Sequence, residues 1–335
     1  MTEKDASERQ GENAVKDESS KEVRYLASGR DLGKTGLRAV ISADPGPSLA
    51  IGATILIETK RFPVFIDPAH SSVSNWGLFE GTALAVMFPK EGKANLLGSA
   101  ILVAPGIAIG AMHVFTGVEE EVLAAKAGAY CFGVDGERID MWSIRHVSSS
   151  SDRHSDLAIY SLEFASKMPD DSRFTHAVLS TRTPAIGETL TMVGFRELDL
   201  STGPPPLGQT VVDVSMLAST GVVTQQFPLR RDAFGLPAPC IEVDCHTAGG
   251  MSGGPVFDRQ GNLVGILSRG MDEGPSWVSL LWPALNWKFK GGWPKGLIPE
   301  NSRLASLDPN LCSIQGLDAV TLRDDGLKVD YRPWS

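Results

Sequence analysis

From about Trp76 the chain becomes a succession of short apolar runs broken by turn-forming residues. Ala83–Phe88, Ser99–Val103, Ile107–Met112, Ala129–Val134 and Ala158–Leu162 make a first set. A proline-bearing junction near Pro169 and Pro184 separates it from a second set. That set is Glu188–Phe195, Thr210–Met216, Val222–Phe227, Ile241–Cys245, Pro255–Phe257 and Leu263–Ser268. Runs this short and this closely spaced predict the strands of a barrel or sandwich, not βαβ units. Asp258-Arg259-Gln260-Gly261-Asn262 is a polar turn between two of the runs, as in a hairpin. Leu280–Lys288 is the most helix-like stretch, although Pro283 interrupts it. The fold class expected is all-β with a short C-terminal helix.

The two ends differ from this middle. Residues 1–24 carry seven acids and five bases and contain no Leu, Ile, Phe or Trp. They cannot bury enough apolar surface to offset the entropy of ordering, so residues 1–35 are expected to be a disordered charged tail. Residues 36–75 mix an apolar run, Ala50–Ile57, with Pro45, Pro47, Pro63 and Pro68, and read as a partly ordered lead-in. Residues 76–290 are the expected globular domain, with halves at about 76–168 and 180–275. Residues 291–335 form a C-terminal extension too short for another domain.

A secretory signal needs an apolar core of roughly 7–15 residues, which the N-terminal tail lacks. The expected location is therefore cytoplasmic. Ala94–Val118 contains no charged residue, but Gly98, Ser99, Pro105, Gly106, Gly110 and His113 interrupt it. Two buried strands joined at Ala104-Pro105-Gly106 fit that segment better than a membrane span.

Composition adds two limits. The chain has 35 Gly and 21 Pro, an excess that favours many turns over a helical bundle. Its 40 acids against 31 bases give a net charge of −9, so there is no basic footprint for nucleic acid or an anionic membrane. Neither is expected as a partner.

The densest chemical signal is Gly249-Gly250-Met251-Ser252-Gly253-Gly254-Pro255. A nucleophilic serine needs an exposed Oγ on a tight turn, with backbone N–H groups beside it for the oxyanion. Flanking glycines permit both. Ser252 is the candidate nucleophile, and the N–H groups of Gly250 and Ser252 are the candidate oxyanion hole. No Gly-Lys-Ser/Thr follows, which disfavours a phosphate-binding loop. A serine needs a base, and the base needs an orienting carboxylate. His113 closes the run Ile107–Met112, and Asp156 heads Asp156-Leu157-Ala158-Ile159. Taken singly, each reads as an ordinary structural residue. Together they run His, Asp, Ser with separations of 43 and 96 residues.

That order and spacing resemble the trypsin-like, chymotrypsin-fold serine peptidases, whose template separations are about 45 and about 93. The similarity extends to Gly98-Ser99-Ala100-Ile101-Leu102-Val103 before the histidine, and to Ala111-Met112-His113-Val114. It includes Gly250-Met251-Ser252-Gly253-Gly254-Pro255, and Gly265-Ile266-Leu267-Ser268-Arg269-Gly270 after the serine. The disulfide-free bacterial branch is the nearest fit, over roughly Trp76 to Trp287. The resemblance implies a double β-barrel with the active site between the barrels. It implies Ser252 as nucleophile, His113 as general base and then acid, and Asp156 as the residue holding the imidazole. The implied reaction is endopeptidase cleavage of a protein or peptide substrate through an acyl-enzyme.

It further implies that His246 lies at the base of the primary pocket, followed by Thr247. Leu267, Ser268 and Gly270 would line its walls, with Arg269 at the rim. Hydrogen-bond donors at His246, Thr247 and Arg269 suit an acidic or polar P1 side chain. Two departures stand out. Met112 replaces a small residue before the histidine, and Met251 replaces the acid that zymogen-activated members use in a salt bridge.

Cys131, Cys240, Cys245 and Cys312 lack the half-cystine framework of secreted members, in keeping with a reducing compartment. Cys245 reads as a buried strand cysteine. His70, His146, His154 and His176 show no metal-ligand spacing, and no metal or cofactor is expected. The competing reading is a catalytically silent binding or regulatory module on the peptidase fold. The roughly 45–50 residues after Trp287 are too few to hold a PDZ domain, so a protease-chaperone of that kind is not expected.

Overall fold

The computed structural model describes residues 24–28, 36–40, 54–62, 71–73, 75–90, 93–123, 128–136, 138–150, 155–167, 173–197, 214–233, 235–271, 274–322 and 329–331. Two six-stranded barrels dominate it. The first is built from β1 (Ala83–Lys90), β2 (Lys93–Ala104), β3 (Ile107–Ala111), β4 (Tyr130–Asp135), β5 (Arg138–Ser149) and β6 (Leu157–Phe164). Its strands run β6-β3-β2-β1-β4-β5 and close through pairing of β5 with β6. The second comprises β7 (Thr189–Glu197), β8 (Val214–Phe227), β9 (Cys240–Asp244), β10 (Pro255–Phe257), β11 (Leu263–Gly270) and β12 (Ser276–Leu280). The order β10-β7-β8-β9-β12-β11 closes through β10 with β11.

Closure explains why several strands are apolar throughout instead of alternating. Ala83 to Phe88 are all buried, as are Ile107 to Ala111. One face of each fills the barrel and the other packs against a neighbouring layer. The second barrel has its own core of Leu190, Met192, Val223, Ile241, Val243, Val256, Val264 and Val278.

Several boundaries moved from the patterning. The runs expected as Thr210–Met216 and Val222–Phe227 belong to one strand over its described part, Val214–Phe227. Ser219-Thr220-Gly221 looks like a break in sequence, yet all three pair with β7 and stay in the ladder. Arg138–Ser149 carries no clean apolar run, because Asp140 faces inward and Ile139 outward. Asp140 is tolerated there because Arg138 Nε donates to its Oδ1 at 2.7 Å. Met112 leaves β3 and opens a 3-10 helix, Met112–Phe115. The helix-like stretch near the C-terminus is a 3-10 helix, Trp282–Asn286, with Pro283 in its first turn where no N–H is needed.

The described parts of the flanks carry strands and aromatic contacts of their own. Arg24–Ser28, inside the stretch expected to be disordered, pairs with Gly36–Val40, and Gly36–Val40 pairs with Thr54–Lys60. Thr54–Lys60 pairs in parallel with Arg173–Ala177. Beyond it, Phe62 donates its N–H to Gly261 O at 3.0 Å, stacks on Phe79 and packs at a tilt against Phe257, so the lead-in touches both barrels. Residues 1–23 lie outside the described residues. At the other end, Trp293 packs against Trp142, Phe164 and Phe174 of the first barrel's side. No described helix is long and apolar enough to cross a membrane.

Candidate active site

The end of β3 and the start of β6 are antiparallel neighbours, with Ala111 opposite Leu157. That register brings the residues just beyond each strand together. Met112 donates its N–H to the Asp156 carbonyl, and His113 donates its own to Asp156 Oδ1 at 3.1 Å. The other carboxylate oxygen, Oδ2, lies 2.8 Å from His113 Nδ1. One carboxylate thus holds one histidine at two points, which sets the ring's orientation: the carboxylate only accepts, so Nδ1 carries hydrogen, and in the neutral imidazole the lone pair is then on Nε2. The Asp156 side chain is 10% exposed and the His113 side chain 32%, so the carboxylate is enclosed while part of the imidazole is open to solvent. Met112 packs on the first barrel's core without displacing His113 from Asp156.

Ser252 approaches from the second barrel. Its loop is held against β2 and β3 by close backbone contacts. Ser99 donates its N–H to the Ser252 carbonyl at 2.7 Å. A Cβ at Gly98 would lie 2.6 Å from the Val114 side chain and 2.7 Å from Ser252 O. The residue after His113 and the backbone of Ser252 therefore flank the same glycine. Gly253, at φ +84°, has its Cα turned towards Ser99 O and lies beside Ala111 N, a position closed to any side chain. Ser252 is half-buried, and among the described residues its hydroxyl forms no hydrogen bond with His113 Nε2.

The loop's donors divide into used and unused. Met251 N–H bonds Ala248 O at 3.2 Å, Gly253 N–H bonds Leu267 O at 2.7 Å and Gly254 N–H bonds Met251 O at 2.9 Å. The N–H groups of Gly250 and Ser252 meet no acceptor among the described residues. Gly250 has φ +91°, as the third residue of a type II turn requires. Met251 anchors the turn by burial in the second barrel's core, fully enclosed and against Gly194, and not by a charge.

The stretch Leu267–Gly270 runs beside this loop. β11 pairs with β12 along its length, but its opposite edge is bonded to β10 only as far as Ile266. Leu267 then exchanges bonds with Gly253 and Gly254, and beyond it the edge of Ser268, Arg269 and Gly270 is open among the described residues. An extended peptide can add to such an edge.

The sequence-derived pocket residues sort into two groups. Thr247, Leu267 and Ser268 are buried, whereas His246, Arg269 and Gly270 are exposed. Ser268 Oγ is bonded to Ser279 Oγ at 2.6 Å. Arg269 lies along the Gly235 backbone, with its guanidinium carbon 3.5 Å from where a Gly235 Cβ would sit. Cys245 is buried at the end of β9, and burial pushes its thiol pKa up to about 12.

Two residues that bear on the site were missed. Ser99 Oγ donates to Gly250 O at 2.9 Å and accepts from Phe195 N–H at 2.8 Å, tying the loop to both barrels. Its only sequence signal is a serine inside an apolar run. Ser276 contacts Thr247, and nothing in its Gly-Pro-Ser context marks it. His70 and His154 lie outside the described residues, and no metal-ligating cluster occurs among the described ones.

Two closed six-stranded barrels facing each other across this loop make a chymotrypsin-like fold. The sequence profile of the trypsin-like peptidase domain matches residues 98–266, just over half of the chain, and the chain belongs to that family. Among solved structures, the apo protease domain of MamO from Magnetospirillum magneticum is 16% identical, with a TM-score of 0.43. That match covers 61% of this chain and 93% of the other. No curated protein matches the sequence.

Proposed function

We propose that this chain is a serine endopeptidase with His113, Asp156 and Ser252 as its triad. The observation that carries the reading is the two-point hold of Asp156 on His113, which leaves Nε2 free to take a proton. Ser252 Oγ attacks the scissile carbonyl and passes its proton to His113. Asp156 stabilises the imidazolium that forms. The N–H groups of Gly250 and Ser252 receive the oxyanion, and their lack of other acceptors supports that role. His113 then protonates the leaving amine, and water resolves the acyl-enzyme by the same route. The substrate is a protein or peptide whose extended backbone pairs with Ser268–Gly270. The enzyme works in a reducing, cytoplasmic setting, and the four free, buried cysteines support that placement.

A fluorophosphonate probe should label the wild-type chain and fail on Ser252→Ala, and casein turnover should vanish in His113→Ala. Persistent labelling of Ser252→Ala would move the nucleophile elsewhere. A second reading is a silent binding module, favoured by the unbonded Ser252 hydroxyl. It predicts peptide binding without labelling.

A further inference from the structure

Two stretches adjoin Ser252, the loop Cys245–Met251 that leads into it and the strand end Leu267–Gly270, whose Leu267 is bonded to Gly253 and Gly254. In the peptidase reading, the side chain preceding the scissile bond must enter between them. The two stretches are in contact with one another. A Cβ on Gly270 would overlap Thr247 Oγ1 and lie 3.1 Å from Ser276 Oγ. Ser276 pairs with Gly270 across the β11–β12 ladder, so its side chain reaches this point from the neighbouring strand.

The contacts form a closed circuit. Ser276 Oγ donates to Cys245 O at 2.8 Å. Its one hydrogen is then used, so Thr247 Oγ1, 3.0 Å away, must donate to Ser276 Oγ. Thr247 is 5% exposed and Ser276 0%. Opening the slot would leave both hydroxyls and a buried carbonyl without partners, which resists a purely steric widening by the substrate.

We propose that the Thr247–Ser276 pair plugs the primary pocket and limits the residue before the scissile bond to glycine, alanine or serine. This rests on the serine-peptidase reading. It replaces the expectation of an acidic or polar P1 side chain. His246 stands exposed, and Arg269 is laid along Gly235.

The experiment uses the full chain with a proteome-derived peptide library, cleavage sites being read by mass spectrometry. Matched quenched peptides with Ala or Leu at P1 give the ratio of kcat/KM. Fluorophosphonate labelling of Ser252 runs in parallel. The wild type should cut after Gly, Ala and Ser, with Ala favoured over Leu by about 100-fold, within the range one pocket's size selection supplies. Ser276→Gly and, independently, Thr247→Gly should each raise the Leu-to-Ala ratio at least ~10-fold, because each empties part of the slot. Labelling together with cleavage after large residues overturns the plug and leaves the peptidase reading standing. So does an unchanged ratio in both folded variants. Neither labelling nor cleavage removes the peptidase reading and the plug with it.

Discussion

Replacing Ser99 by alanine tests how the loop of Ser252 is held between the barrels. Ser99 belongs to β2 and is 1% exposed. Its hydroxyl satisfies the Gly250 carbonyl at 2.9 Å and the Phe195 N–H at 2.8 Å. Alanine removes both partners and leaves little space for water. A buried backbone group left unpaired costs about 1–3 kcal/mol, so the two together cost ~2–6 kcal/mol. The Ser99 N–H to Ser252 O bond survives the change and keeps the loop tethered, which places the expectation in the lower half of that range, about 3 kcal/mol. For a chain of this size each kcal/mol moves Tm by about 2–4 °C, so the drop should be roughly 6–12 °C. Urea denaturation followed by tryptophan fluorescence measures the first quantity and calorimetry the second. The Gly250 turn also carries one of the unspent N–H groups, so fluorophosphonate labelling should slow at least ~10-fold, or about 1.4 kcal/mol of barrel-to-loop alignment. A loss below about 0.5 kcal/mol with unchanged labelling would refute the reasoning. It would mean that Gly250 O finds another donor and Phe195 N–H another acceptor, and that the serine does not hold the loop.

Two further outcomes follow from the packing. His176 is fully buried, with neither ring nitrogen hydrogen-bonded among the described residues, and burial lowers its pKa to about 3. The unfolded chain takes up that proton below about pH 6.5 while the folded chain refuses it, so stability falls as pH drops from about 6.5 towards 3. A urea series across that range should show the slope, and His176→Leu should flatten it; equal slopes in both proteins would sink the assignment. Trp293→Ala should destabilise by about 3–5 kcal/mol, because its ring sits among Trp142, Phe164 and Phe174. A surface-like loss under about 1 kcal/mol in chemical denaturation would show that the C-terminal segment is dispensable to the first barrel.

Much of the architecture was legible in one dimension. Runs such as Ala83–Phe88 and Ile107–Met112 are apolar at every position because closed barrels bury both faces, and their brevity already excluded crossover helices. The charged flanks misled in part. Arg24–Ser28 is a strand although its neighbourhood is too polar to order alone, because Gly36–Val40 pairs with it. The same holds for Thr54–Lys60, whose partner Arg173–Ala177 lies more than a hundred residues away.

The sequence by itself determined the chemistry available: the order of His113, Asp156 and Ser252, and the glycines that let a loop pass close to neighbouring backbone. Those are local facts, written in residue type and spacing. Tertiary structure decided everything that depends on two distant segments meeting. Asp156 reaches His113 because Ala111 and Leu157 share a register. Ser99 reaches Gly250 because the barrels abut, and Thr247 meets Ser276 because β11 and β12 turn back beside the loop. A hydroxyl in an apolar run carries no mark of its partner. Only burial together with a hydrogen-bond acceptor within reach gives it a role.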